Sequence, residues 1–343
     1  MLYALVFVVP LLLALALGPL AGRWAERFGF MDYPGDPRRL HRSPTPRLGG
    51  VALLVPFLLA IALSLVLLPP GEATRPDALE LQRLSGVILG SLFIFLVGLY
   101  DDRRELSPGP QLVAQILAAA LALASGVLIA EVGNPFGENL RFPTWFAILF
   151  TLFWIVGMMN TVNWLDGLDG LAVGVTIIAS AVLFVHSLRL GQVSVSLLPL
   201  ALAGSALGFL RYNFYPARLF LGSSGAYFLG YALGTLSIVG GAKVATALLV
   251  LGLPILDVAW QILYRLRRGL SPFQADRRHL HHRLLDLGLS QRRVLLLFYL
   301  WSALFGALAL LLPPGLYKLY TLAGVGVLGI SLLLLAVRRT ERG

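Results

Sequence analysis

Apolar runs recur along this chain from end to end, each roughly the 17–25 residues that a helix needs to cross about 30 Å of hydrocarbon. Stretches such as 51–68, 244–256 and 319–337 are almost uniformly apolar on every face. Strands of a membrane barrel would alternate apolar and polar residues, so these runs predict helices. Helices also satisfy their own backbone in lipid, as any spanning element must. Of the 343 residues 58% are hydrophobic and 13% charged, and the mean hydropathy is +0.82, which excludes an ordinary soluble domain.

Turn residues between the runs mark eleven candidate spans, near residues 2–21, 49–68, 84–100, 111–130, 144–159, 171–188, 195–210, 224–240, 243–264, 294–312 and 316–337. The expectation is an all-α polytopic integral membrane protein with one membrane-embedded domain over 1–343. Its cytoplasmic loops would lie near 22–48, 101–110, 160–170, 211–223 and 265–293. The first run lacks a basic leader and a small-residue cleavage site, so it reads as a retained span.

An odd number of spans places the termini on opposite sides. With the N-terminus outside and the C-terminus cytoplasmic, 21 of the 27 Lys and Arg residues face the cytoplasm, whereas Lys243 and Lys318 are among the six outside. The same orientation puts Asp101, Asp102, Asp166, Asp169 and the histidines of 279–282 at cytoplasmic ends of spans, although the basic count never used them. The net charge of +10 then reads as a topology signal and an attraction to anionic headgroups, not as a nucleic-acid surface. The absence of cysteine excludes a disulfide framework or thiolate metal site. No inverted internal repeat is visible.

Four polar constellations interrupt the apolar pattern. Asp101 and Asp102 stand side by side where a long apolar helix reaches the surface. Solvated interface charges are one reading; the other is a cation or proton-handling site, since adjacent carboxylates raise one another's pKa. In Asn160-Thr-Val-Asn163-Trp-Leu-Asp166-Gly-Leu-Asp169-Gly170, short oxygen-bearing side chains recur every three residues, with a glycine after each aspartate. That predicts a broken helix suited to magnesium and phosphate, against the plainer reading of a polar capping loop. Phe220-Leu-Gly222-Ser223-Ser224-Gly225 precedes a span and could aim helix N-terminal amides at an anion or simply permit close helix packing. The loop from Arg265 to Arg283 holds Arg278, His279, His281, His282 and Arg283. Its crowd of arginines repels zinc and fits a pyrophosphate, or else a basic loop lying on anionic lipid. Asp257 falls inside the ninth apolar run, where a carboxylate is expected to face the bundle and pair with arginine or polar backbone.

Taken together these segments resemble the polyprenyl-phosphate N-acetylhexosamine-1-phosphate transferases over nearly the whole chain. The resemblance rests on the DxPxxxRRxHxxPxPRxGG loop at Asp32–Gly50, Asp101–Asp102 followed by Leu106-Ser-Pro108, NxxNxxDGxDG at Asn160–Gly170, YNFxPAxxFxG at Tyr212–Gly222 and SPFxADRxHLHHRL at Ser271–Leu284. It implies transfer of a sugar 1-phosphate from a UDP-N-acetylhexosamine to polyprenyl phosphate in a membrane, with Mg2+ (or Mn2+) and release of UMP. The HxHH form resembles the branch that uses UDP-N-acetylglucosamine. By position, Asp101, Asp102, Asp166 and Asp169 would be catalytic. Asn163, Asp166 and position 223 would hold the metal. Arg47, Asn160, Asn163, Asn213, Asp257, Arg278, His279, His281, His282 and Arg283 would bind substrates. A homodimer is compatible with this reading.

Two departures stand out. Ser223 occupies the place of an aspartate that is a metal ligand in relatives, and Gln111 stands where relatives often carry lysine. A neutral serine oxygen is the weaker ligand, so the first implies reduced turnover with binding retained. Two competing readings stay open from the sequence: a transporter or flippase for an anionic lipid or nucleotide, and an inactive member of the enzyme family.

Overall fold

The computed structural model describes residues 1–34, 43–68, 76–239, 244–271, 278–313 and 315–340. Arg38, Arg39, His41 and Arg42 of the first basic loop, Lys243, and the Pro272–Arg277 part of the histidine loop lie outside the described residues.

The chain is a helical membrane bundle. In order it forms α1 (Leu2–Phe28), β1 (Met31–Asp32), β2 (Thr45–Pro46), α2 (Gly49–Leu67), α3 (Ala78–Arg104), α4 (Pro108–Ala124), β3 (Glu131–Val132), β4 (Leu140–Arg141) and α5 (Thr144–Leu165). Then follow α6 (Leu171–Arg189), α7 (Val193–Asn213), α8 (Gly222–Leu236), α9 (Val244–Val250), α10 (Gly252–Arg267), α11 (Leu280–Asp286), α12 (Gln291–Leu311) and α13 (Leu316–Thr340). β1 and β2 pair antiparallel, Met31 opposite Pro46, and β3 and β4 form a second short hairpin. Large apolar side chains such as Phe153 and Leu300 remain exposed on the outside of the bundle, as expected where the surrounding solvent is lipid.

Eight helices are long and apolar enough to cross a membrane, or nine if α9 and α10 count as one bent span. α4 and α8, at 17 and 15 residues, fall short of that length although each occupies one of the eleven apolar stretches. The uninterrupted run expected over 243–264 is broken: α9 and α10 meet at Leu251 with a bend of 82°. Gly252 and Pro254 explain the break, since both suit the first turn of a new helix better than the interior of a continuous one.

α8 is the centre of the bundle. Every one of its residues is buried, and it packs against α2, α3 and α5. Gly98 of α3 permits this approach, because a Cβ there would collide with the backbone of Ser224. Sequence periodicity cannot separate such a helix from a lipid-facing one, since both are apolar all round.

Candidate active site

The candidate site residues lie at one end of the bundle. The C-terminal ends of α1, α3, α5 and α7 meet the N-terminal ends of α2, α6 and α8 there. Gly49 and Gly50 N–H donate to Phe220 O and Leu221 O at 3.0 and 3.2 Å, and Phe220 N–H donates to Pro46 O at 2.8 Å. The loops before α2 and α8 are thereby fastened side by side.

Asp102, at the end of α3, is held most completely. Its Oδ1 accepts from Ser223 N–H at 2.7 Å, and its Oδ2 accepts from Ser224 N–H at 3.1 Å and from the Ser224 hydroxyl at 2.7 Å. Arg47 Nε stands 3.3 Å from Oδ1. The anion at the N-terminus of α8 is therefore the protein's own carboxylate, bound by free amides and the helix dipole. Gly222 makes room for it: its φ is +73°, and a Cβ would sit 2.7 Å from Asp102 Oδ2.

Asp101 is bound differently. Among the described residues its Oδ1 alone accepts hydrogen bonds, from Leu106 N–H at 2.8 Å and Gln111 Nε2 at 3.1 Å. Gln111 also donates to Leu106 O at 2.9 Å, so it keeps a contact to the first aspartate without bringing a positive charge. Beside the pair opens a cavity of about 280 Å³ whose lining includes Asp32, Arg47, Asp102, Arg103, Arg104 and Glu105.

The second half of the site is the turn between α5 and α6. α5 ends at Leu165 and α6 begins at Leu171, so Asp166 to Gly170 form an irregular corner. Asn213 is buried and bridges this corner, its Oδ1 accepting from Gly170 N–H and its Nδ2 donating to Leu219 O, both at 3.1 Å. Asp169 Oδ2 accepts from Ala217 N–H at 2.9 Å, and Tyr299 donates to Gly170 O at 2.6 Å. Packing around the Asp166 carboxylate pushes its pKa well up, with repulsion from Asp169 adding to the rise; Arg47 opposes it and Asp102 adds a little. That coupling ties the two halves into one electrostatic site.

The histidines close over this corner. A Cβ on Gly167 would collide with His281 Nε2, and His282 Nε2 would lie 3.2 Å away. His279 stacks on His281 with ring centroids 5.7 Å apart and planes 5° from parallel, and His281 meets His282 at 4.3 Å. Burial, then the neighbouring His282 and His279, push the His281 pKa well below the usual histidine range.

Several sequence candidates have different neighbours from those expected. Asn160 pairs with Gln115 of α4, donating to its Oε1 at 2.6 Å and to Val156 O at 2.9 Å. Arg283 donates to Arg278 O and Thr340 Oγ1, both at 2.8 Å. Arg278 is exposed and lies over the Tyr264 ring, 5.0 Å to the centroid. Asp257 gives its oxygens to His279 and to the Leu280 N–H; its backbone partner matches the expectation, while histidine takes the place of arginine. Ser223 uses its N–H on Asp102. Sequence reasoning missed Ser224, Gln261 and Trp164; the four-residue spacing of Asp257, Gln261 and Arg265 was the available signal for one of them.

Among the described residues no three His, Asp or Glu side chains converge to hold a metal by themselves. Asp166, with Asn163 three residues before it, supplies oxygen donors of the type a hard divalent cation takes when substrate phosphates and water complete its shell. Neither side chain is drawn into a hydrogen bond among the described residues, and Asp166 sits in surplus negative charge. The residues present fit such an ion.

The sequence profile of glycosyl transferase family 4 matches residues 84–241. A protein of Bacillus subtilis (strain 168) named as a probable undecaprenyl-phosphate N-acetylglucosaminyl 1-phosphate transferase is 33% identical over 312 residues, covering 89% of this chain and 84% of its own. The decaprenyl-phosphate N-acetylglucosaminephosphotransferase of Mycolicibacterium smegmatis (strain ATCC 700084 / mc(2)155) is 36% identical, covering 82% and 76%. The phospho-N-acetylmuramoyl-pentapeptide-transferase of Desulforamulus reducens (strain ATCC BAA-1160 / DSM 100696 / MI-1) is 30% identical, covering 88% and 93%. The chain belongs to the family of polyprenyl-phosphate sugar-1-phosphate transferases, membrane phosphotransferases of glycosyl transferase family 4.

Proposed function

We propose that this chain transfers N-acetylglucosamine 1-phosphate from its UDP-sugar to undecaprenyl phosphate, releasing UMP and starting a cell-envelope glycan, with magnesium as cofactor. The observation that carries this is the convergence at one bundle end of Asp101, Asp102, Asp166 and Asp169 with Arg47 and the paired rings of His281 and His282. The HxHH motif and the names of the relatives above favour N-acetylglucosamine over the muramyl pentapeptide. We further propose eleven crossings, with the N-terminus outside and the site facing the cytoplasm; the distribution of arginine supports both.

In the reaction an oxygen of the lipid phosphate bonds to the β-phosphorus of the donor. The bond from that phosphorus to the bridging oxygen breaks, and UMP leaves with the electron pair. Asp102 is fully occupied by four donors, so its work is to fix α3 against α8. Asp101, with Oδ2 outside its hydrogen bonds, is the carboxylate available to orient the lipid phosphate or take its proton. Arg47 and the arginines of the adjoining cavity offset charge as two polyanions approach. Magnesium bound by Asp166 and Asn163, with Ser223 at the position of the relatives' aspartate, would neutralise phosphate charge. His281, uncharged near neutral pH, serves as a hydrogen-bonding group, not a counter-ion.

Ser223 favours one second reading, an inactive family member that binds without turning over. The transporter reading finds no support in a polar set gathered at one end, because alternating access needs polar groups along a path. Radiolabelled UDP-sugars incubated with undecaprenyl phosphate, magnesium and the purified chain test all three. Transfer from UDP-N-acetylglucosamine with UMP release is expected; binding without transfer indicates the inactive member, and flux into vesicles without transfer the transporter.

A further inference from the structure

α10 carries Asp257, Gln261 and Arg265 four residues apart, which sets them in one row along one helix face. All three are buried, at 4%, 0% and 2% exposure. A carboxylate, an amide and a guanidinium buried in one apolar helix are costly unless each meets a partner. Each of them reaches a different piece of the candidate site.

Asp257 Oδ2 meets His279 Nδ1 at 2.9 Å, and its Oδ1 accepts from Leu280 N–H at 2.9 Å. Gln261 Nε2 donates to Arg278 O at 2.6 Å. The Arg265 guanidinium lies over the Trp164 ring, 5.5 Å to its centroid, and that ring meets His279 at 5.6 Å. One helix face thus grips the residues before and after the start of α11 and, through Trp164, the segment leading to Asp166. The bend of 82° before α10 gives this row a direction independent of α9.

We propose that Asp257, with Gln261 beside it, is a positioning residue for the nucleotide-sugar donor: it fixes the ring and tautomer of His279 and so sets where the stacked His281 and His282 meet Gly167. An ionised carboxylate only accepts, so His279 Nδ1 carries the proton in this pair. The bond to Leu280 N–H caps the first turn of α11, which carries His281 and His282. Nothing places Asp257 itself on the substrate. The inference rests on the donor reading above.

Binding of UDP-N-acetylglucosamine to the purified full-length chain, by titration calorimetry in detergent, tests it independently of turnover. Asp257→Asn retains an oxygen for the Leu280 N–H but no longer imposes an acceptor on His279. It should melt close to the parent while weakening donor binding about tenfold. Where transfer is measurable, the donor KM should rise more than kcat falls, and the KM for the lipid should stay put. Asp257→Asn combined with His279→Asn should bind no more weakly than the worse single variant. Gln261→Leu removes the Arg278 contact from the same row and should weaken donor binding by a smaller factor, which keeps the test sound if Asp257→Asn fails to fold. Unchanged donor affinity in a folded Asp257→Asn chain, or in Gln261→Leu if that chain alone folds, overturns the inference. So does an equal rise in both KM values. If the parent chain binds no UDP-sugar, the donor reading itself is wrong and this inference falls with it.

Discussion

Gly222→Ala perturbs the Asp102 clamp without altering any charge. The position has φ +73°, where an L side chain costs about 1–2 kcal/mol. The new Cβ would stand 2.7 Å from Asp102 Oδ2 and 3.0 Å from Oδ1, so the carboxylate must retreat by several tenths of an ångström from donors now at 2.7–3.1 Å. Weakening one such charge-assisted bond costs about 1.5–3 kcal/mol. The total is roughly 2.5–5 kcal/mol, a large share of the about 5–15 kcal/mol that ordinarily separates folded from unfolded protein. Thermal unfolding in detergent should show a clearly lowered Tm, and UMP release should fall with it. Gly109→Ala is the matched control, because a Cβ there meets nothing within 4 Å. If Gly222→Ala unfolds and turns over like the parent, the clamp does not hold α3 to α8 in the way described.

Ser223→Asp should raise magnesium-dependent UMP release. Without metal it should lower Tm, since adjacent carboxylates at an effective dielectric constant of 20 repel by about 3 kcal/mol; magnesium should then raise Tm more than in the parent, and equal magnesium responses in the two chains would sink the idea. Asp101→Asn should cut transfer and leave Tm unchanged, whereas Asp102→Asn should lower both, because only the second sets an amide NH2 against donors that now meet a carboxylate oxygen; identical unfolding of the two variants would contradict that division. His281 has its pKa depressed by burial and its histidine neighbours. Between that lowered value and about 6.5 the unfolded chain binds the extra proton, so His281 contributes a loss of stability as pH falls below about 6.5 that levels off once the folded group also protonates. His281→Asn should flatten this part of the Tm profile from pH 7.5 to 5, and parallel profiles for the two chains would show that His281 titrates normally.

Much of this arrangement was legible in the sequence because the polar residues are rare. In a chain this apolar, Asp101, Asp102, Asp166 and Asp169 have few reasons to exist outside a site, and the glycines after Asp166 and Asp169 marked the corner where α5 gives way to α6. Length alone also marked a helix at each apolar stretch. Three-dimensional register was not legible. Asn160 lies in the same motif as Asp166, yet its side chain pairs with Gln115, a partner supplied by the packing of α4. Ser224, Gln261 and Trp164 are ordinary residues locally and acquire roles only through partners 17 to 122 positions away. The break at Leu251 was hidden for the opposite reason, because Gly252 and Pro254 are common enough in membrane helices not to force a bend.

The N-terminus of α8 has a further consequence for selectivity. Its amides already hold a ligand, the Asp102 carboxylate, that can never diffuse away. A free phosphate drawn to that positive end must compete with a tethered anion that binds intramolecularly. The turn before α8 is thus already filled by the protein's own anion in this chain. On the proposed function, an incoming phosphate would be met by Arg47 and the corner at Asp166 instead, and would have to share Arg47 with the Asp102 carboxylate.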